Sequence, residues 1–213
     1  NTIIDNYAAG ITVSPVAKLE SDGGLVIKNC DSNNDAVAGI LNNGGTVDLT
    51  GAEITGCDGR SSGGGIYSIG ALGLTTAATG LTDCRIHDNS AGSGGGIYCI
   101  GTASVELKGS TEIYENTATY AGGGGVYIAT GGSFTMEESV RIHENTALSS
   151  NGGGIYIATG TTAKIILNST KDAGNTASSG SLCYAEAYVN FVSGSSVNGT
   201  AVTGLSTSSR YWN

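Results

Sequence analysis

Gly94-Gly95-Gly96-Ile97-Tyr98 is one of five copies of a single phrase. Gly63-Gly64-Gly65-Ile66-Tyr67 and Gly152-Gly153-Gly154-Ile155-Tyr156 repeat it unchanged, and Gly123-Gly124-Gly125-Val126-Tyr127 exchanges Ile for Val. Gly180-Ser181-Leu182-Cys183-Tyr184 is a decayed copy. The five tyrosines are separated by 31, 29, 29 and 28 residues. A fixed period of that length marks a repeat architecture in which each unit buries its apolar face only by stacking on its neighbours. Function in such a chain is expected on rows of equivalent positions rather than in one pocket.

A second phrase precedes each glycine run: Ile86-His87-Asp88-Asn89-Ser90-Ala91, Ile113-Tyr114-Glu115-Asn116-Thr117-Ala118 and Ile142-His143-Glu144-Asn145-Thr146-Ala147. A degenerate copy ends in Asn175-Thr176-Ala177, and in Ile27-Lys28-Asn29-Cys30 and Ile54-Thr55-Gly56-Cys57 a Cys stands in place of the Asn. Between the two phrases lie short β-prone runs, Thr46–Leu49, Ser104–Leu107, Ser133–Met136 and Ala163–Leu167. Each period therefore holds three short strands separated by Gly, Ser, Asn and Asp, with no 3.6-residue stripe long enough for a helix. The chain reads as all-β, a single-stranded parallel β-helix of about 6–8 coils, with residues 25–184 as repeat coils, 1–24 as a first coil or cap and 185–213 as a last coil or cap.

In-register stacking places aligned residues about 4.8 Å apart, so each column must be chemically compatible. The position before the Ile reads Glu53, Arg85, Glu112, Arg141, an alternation of sign that stabilises neighbouring strands by a few tenths of a kcal/mol per pair. Strand alternation turns the Ile of each phrase inward and each repeat Tyr outward.

The pairing of Ile-x-x-Asn-(Ser/Thr)-Ala with Gly-Gly-Gly-(Ile/Val)-Tyr about ten residues later resembles the repeats of bacterial polymorphic outer-membrane proteins and related adhesin-like surface proteins. Those repeats join a Phe/Ile-x-x-Asn element to a Gly-Gly-Ala-Ile element. The resemblance covers Leu25 to Tyr184 and implies a right-handed, pectin-lyase-like β-helix in attachment or display at the cell surface. The chain departs from the pattern in a third Gly for Ala, Ile for Phe, and no β-barrel translocator.

Composition narrows the function classes. Gly accounts for 36 of 213 residues and Pro for one, which suits a chain that turns tightly and often. The formal net charge is −9 with only 13% charged residues, the wrong sign for nucleic acid or an anionic membrane surface. No apolar run approaches the roughly 20 residues of a membrane-spanning helix. The chain begins at Asn1, as a mature product or an excised segment would. Its five cysteines show no zinc-ligand spacing.

Tyr67, Tyr98, Tyr127, Tyr156 and Tyr184 form the candidate binding stripe for a glycan or protein, since an aromatic ring offers a flat apolar face with a polar tip. The competing structural reading is a stack in which each ring covers its neighbour. Asn89, Asn116, Asn145 and Asn175 form a ladder suited to turn geometry and to bonding the next amide in the stack. Asp88, Glu115 and Glu144 share one column, a weak candidate for Ca²⁺ with its oxygen ligands. His87 and His143 flank Tyr114 at about 10 Å from each other by strand spacing, too far to share a zinc, and read as surface residues. Cys30 and Cys57 align one coil apart, within disulfide range. No catalytic residue is assigned, because the acids recur as ordinary column members.

The expected function is a non-catalytic extracellular or cell-surface module for adhesion or display, binding glycan or protein through the tyrosine stripe. One alternative is a filament or surface-layer subunit associating head-to-tail with copies of itself through uncapped ends. Another is a polysaccharide lyase or glycoside hydrolase, because this fold hosts such enzymes.

Overall fold

In a computed structural model the chain is a right-handed parallel β-solenoid of about 5–6 turns with three strands per coil. The structure describes residues 2–5, 10–32, 39–70, 77–137, 139–167 and 172–186, with short pieces at 190–191, 193, 195–197, 200–201 and 210–212. The Ile phrase builds one six-stranded parallel sheet, from Thr2–Asp5 through Leu25–Lys28, Glu53–Thr55, Arg85–His87 and Glu112–Tyr114 to Arg141–His143. The Gly-Tyr phrase builds a second, whose parallel strands are Ile11–Val13, Ile40–Asn43, Ile66–Gly70, Ile97–Gly101, Val126–Ile128, Ile155–Ile157 and Cys183–Ala185. The third sheet runs Lys18–Ser21, Thr46–Thr50, Ala78–Thr82, Ser104–Lys108, Ser133–Met136, Thr162–Lys164 and Asn190–Phe191. A three-stranded ladder, Ser90–Ala91, Thr117–Ala118 and Thr146–Ala147, joins the first sheet to the second.

Like residues pair with like. Ile86 stacks between Ile54 and Ile113, and Tyr98 between Tyr67 and Tyr127. Inward columns from all three sheets fill the interior, among them Ile27, Ile54, Ile86, Ile113 and Ile142, each at most 1% exposed. Full burial of one such side chain stabilises by about 1.5–3 kcal/mol. A small polar group lies within this core: Asn42 donates to Ala78 O at 2.9 Å and to Thr79 Oγ1 at 3.1 Å, and Thr79 donates to Ser68 at 3.2 Å.

The glycines set the corner before each strand of the Tyr sheet. Gly63, Gly94, Gly123 and Gly152 hold φ of 63°, 57°, 69° and 66°, left-handed values that a side chain resists. The next glycine is required for space: a Cβ on Gly95 would lie 2.5 Å from Thr117 O and 2.7 Å from Gly124 O.

The two ends differ. Residues 1–24 supply three strands parallel to those of the next coil. Beyond Ala185 the chain adds Asn190–Phe191 and Ser196–Val197 in parallel, then reverses. Thr200–Ala201 pairs antiparallel with Ser196–Val197, and Arg210–Trp212 lies antiparallel along Cys183–Ala185.

Candidate functional site

The five repeat tyrosines stand in one column on the outer face of the Tyr sheet, with rings packed on one another. Ring centroids are 5.2 Å apart for Tyr67–Tyr98, 5.0 Å for Tyr98–Tyr127, 4.6 Å for Tyr127–Tyr156 and 5.2 Å for Tyr156–Tyr184. The last three pairs are within 21° of parallel, and only Tyr67 turns edge-on, at 71°. Strand spacing forces this result: side chains about 4.8 Å apart leave room for one ring against the next and no ligand between them. Each inner ring is covered on both sides by its neighbours, and Tyr156 is buried. Burial pushes the phenols of Tyr67, Tyr98 and Tyr127 up, that of Tyr98 to about 12. Tyr156 is raised most, first by burial and then because its hydroxyl donates to Glu186, whose second oxygen accepts Thr159 N at 3.1 Å.

A second aromatic column runs along the Ile sheet. His87, Tyr114 and His143 stack at 4.6 Å and 5.3 Å, within 7° of parallel. The two histidine side chains are only 14% and 13% exposed, so "surface" described their direction but not their burial. The signal was in the sequence, an aromatic or His residue one place after the Ile in three successive coils. His87 Nε2 lies 3.1 Å from Glu53 Oε1 and its Nδ1 lies 2.8 Å from Asp88 Oδ2. Beside this column Arg85 pairs with Glu53 at 3.2 Å and Arg141 with Glu112 at 2.8 Å.

Asp88, Glu115 and Glu144 share a left-handed backbone position, with φ of 55°, 53° and 56°. Asn29, Gly56 and Gly174 take the same place in other coils, also at positive φ. The acids do not converge. Asp88 turns to His87, and Glu144 to His143 Nδ1 at 3.1 Å. Among the described residues no group of three His, Cys, Asp or Glu forms a metal-binding set.

The residue after the left-handed position points inward and forms the asparagine ladder. Nδ2 of Asn89, Asn116 and Asn145 each donates to Oδ1 of the next Asn at 3.0 Å, ending at Asn175. The same oxygens accept the backbone N of the preceding Asn at 3.1, 3.1 and 2.9 Å. Each Nδ2 also reaches an Ile carbonyl of the coil before, at 2.9–3.0 Å. Cys57 and Cys30 hold the two earlier positions of this ladder: Cys57 N donates to Asn89 Oδ1 at 3.0 Å. Both are buried free thiols.

One feature escaped the sequence reading. On the outer face of the third sheet Gly80 stands between Asp48 and Glu106 in the same column. Its missing side chain leaves an open hollow of about 250 Å³, walled by Thr46, Asp48, Thr82, Ser104, Glu106 and Lys108. Lys108 pairs with Glu106 at 2.7 Å across one wall. The available signal was a glycine inside a strand, which marks close approach or a vacant surface position. A Cβ at Gly80 would meet nothing nearer than Asp48 Oδ1 at 3.7 Å.

Among the described residues no helix is long and apolar enough to cross a membrane. No protein-family model, no curated protein and no solved structure matches this chain. What the geometry establishes is a right-handed parallel β-solenoid.

Proposed function

We propose that the chain is a non-catalytic extracellular module for adhesion or display, which seats a hydroxyl-rich partner, a glycan, on the third sheet over Gly80. The hollow at Gly80 carries this reading. It is a vacant outward position in a flat sheet, lined by hydroxyls, two carboxylates and one amine, donors and acceptors of the kind that sugar hydroxyls satisfy. The tyrosine column serves instead as a cohesive ladder, because its ring faces are covered. The head-to-tail filament is less well supported, since Arg210–Trp212 lies along the edge of Cys183–Ala185 that an incoming subunit would pair with.

Gly80→Val tests the reading with little disturbance to the fold, because the position is extended strand with room for a Cβ. On a glycan panel, Gly80→Val is expected to lose the binding of the parent chain while Tyr127→Phe keeps it. Retention by Gly80→Val together with loss in Tyr127→Phe would return the site to the tyrosine hydroxyls. Cleaved products from any polysaccharide, lost in Asp48→Asn or Glu106→Gln, would replace a binding module with an enzyme.

A further inference from the structure

Cys30 and Cys57 occupy equivalent positions in successive coils. The flanking strands pair Ile27 with Ile54 and Lys28 with Thr55, and the bridge Asp31–Asp58 continues the same register past the cysteines. Asp58 N donates to Cys30 O at 2.8 Å, locking the two backbones side by side. Stacked Cα atoms in such a ladder are about 4.8 Å apart, inside the range of about 4.4–6.8 Å that a disulfide spans. The thiols point the same way, Cys30 Sγ to Lys28 O at 3.6 Å and Cys57 Sγ to Thr55 O at 3.5 Å. The other three cysteines have no such neighbour. Cys99 stacks between Ser68 and Ile128, Cys183 lies on Ile155, and Cys84 N bonds to Thr111.

The slot itself argues for a role. Every later coil fills it with Asn, whose amide saturates the ladder. The backbone before it is left-handed in these coils too, at Asn29 and Gly56, so Asn is compatible with both positions. Two adjacent slots instead carry a weak hydrogen-bonding group with redox chemistry, in the second and third coils from the N-terminal end. That end is where Ile4, Ile11 and Leu19 only partly cover the core.

We propose that Cys30 and Cys57 form an inter-coil disulfide during folding in an oxidising medium, clamping the N-terminal coils together. The oxidant is a low-molecular-weight disulfide such as oxidised glutathione. The Cys30 thiolate attacks one glutathione sulfur and expels a glutathione thiolate. The Cys57 thiolate then attacks the Cys30 sulfur of the mixed disulfide and expels the second. Two electrons pass to glutathione, and the two thiol protons leave with its reduced thiols. In the folded chain the pair is 0% and 1% exposed, and burial with the adjoining Cys30 thiol pushes Cys57 up to about 12. Exchange therefore precedes closure of these coils. The inference stands on the geometry of the pair and does not require the glycan reading.

The full chain, reduced and unfolded in guanidinium, is refolded in a glutathione redox buffer and quenched with acid. It is then unfolded again in guanidinium to expose its buried thiols, labelled with maleimide, and weighed intact and after proteolysis. The expected result is three labelled cysteines of the five, one linked Cys30–Cys57 peptide, and a melting midpoint above the reduced form by about 5–15 °C. Cys57→Asn restores the ladder residue, so it should fold and show four labelled thiols with no link. Chain already folded in the reduced state should resist the same buffer. Five labelled thiols after native refolding, a link between another pair, or equal midpoints for oxidised and reduced forms would each overturn the clamp. Oxidation of the folded chain as fast as during refolding would overturn its timing.

Discussion

Asn116 illustrates how tightly a single residue is tied into this fold. Its Nδ2 donates to Ile86 O, Tyr114 O and Asn145 Oδ1, and its Oδ1 accepts from Asn89 N and Nδ2. Truncation strands buried donors and carbonyls on both neighbouring coils, each worth about 1–3 kcal/mol when orphaned. Asn116→Ala should thus lower the unfolding free energy by about 3–5 kcal/mol, read from the urea midpoint. A loss under about 1 kcal/mol would mean that the ladder does not hold the coils together. Its neighbour Glu115 behaves in the opposite sense. It sits at φ 53°, where a side chain costs roughly 1–2 kcal/mol and Asn is better tolerated than Glu. Glu115→Asn is expected to stabilise by about 0.5–1 kcal/mol; destabilisation in the same titration would show that the carboxylate has a compensating partner.

At the level of the element, glycines that look alike in sequence do different work. Gly95 fills a corner where its Cβ would meet carbonyl oxygens of Thr117 and Gly124 at 2.5 and 2.7 Å. These are backbone atoms of the adjoining coil and cannot rotate away. Gly80 lies mid-strand with open space above it. Gly95→Ala should destabilise by about 3 kcal/mol or more, whereas Gly80→Ala should be neutral or stabilising by up to about 1 kcal/mol. Equal effects of the two in parallel thermal melts would contradict the corner geometry. The strands follow the same logic, since each is two to five residues long and holds its place only through the coils on either side.

For the whole molecule, buried ionisable groups set the response to alkali. In the reduced chain, burial raises the thiols of Cys57 and Cys99 to about 12 and lifts Cys84 and Cys183 as well, and it raises Tyr98 to about 12. Folded-state values above those of the unfolded chain mean that the folded protein holds these protons more tightly. Their contribution is complete below pH of about 9, where unfolded thiols begin to ionise, and is lost as pH rises towards about 12. The urea midpoint should accordingly be flat from neutral pH to about 8.5 and fall steadily above about 9. The buried phenols of Tyr98, Tyr127 and Tyr156 are expected to ionise together with unfolding rather than before it. A midpoint unchanged at pH of about 11 would show that these groups titrate freely in the folded chain.

The repeat phrases by themselves determined the solenoid, its three strands per coil, the inward isoleucines and the register. A period-2 pattern repeated at nearly constant length leaves only in-register stacking able to bury every Ile at once. They also named the columns, including the tyrosines, the asparagines and the paired Cys30 and Cys57. What they could not convey was how each column uses its neighbours. Whether rings at strand spacing face a ligand or one another, whether Asp88, Glu115 and Glu144 converge or splay, and whether a glycine closes a corner or opens a hollow at Gly80 depend on distances between coils. So does the antiparallel return of Arg210–Trp212, whose partner strand lies some 25 residues earlier and whose direction no local pattern encodes. Side-chain contact across the stack is a tertiary property, and in this molecule it separates the columns that hold the scaffold from the surface left open.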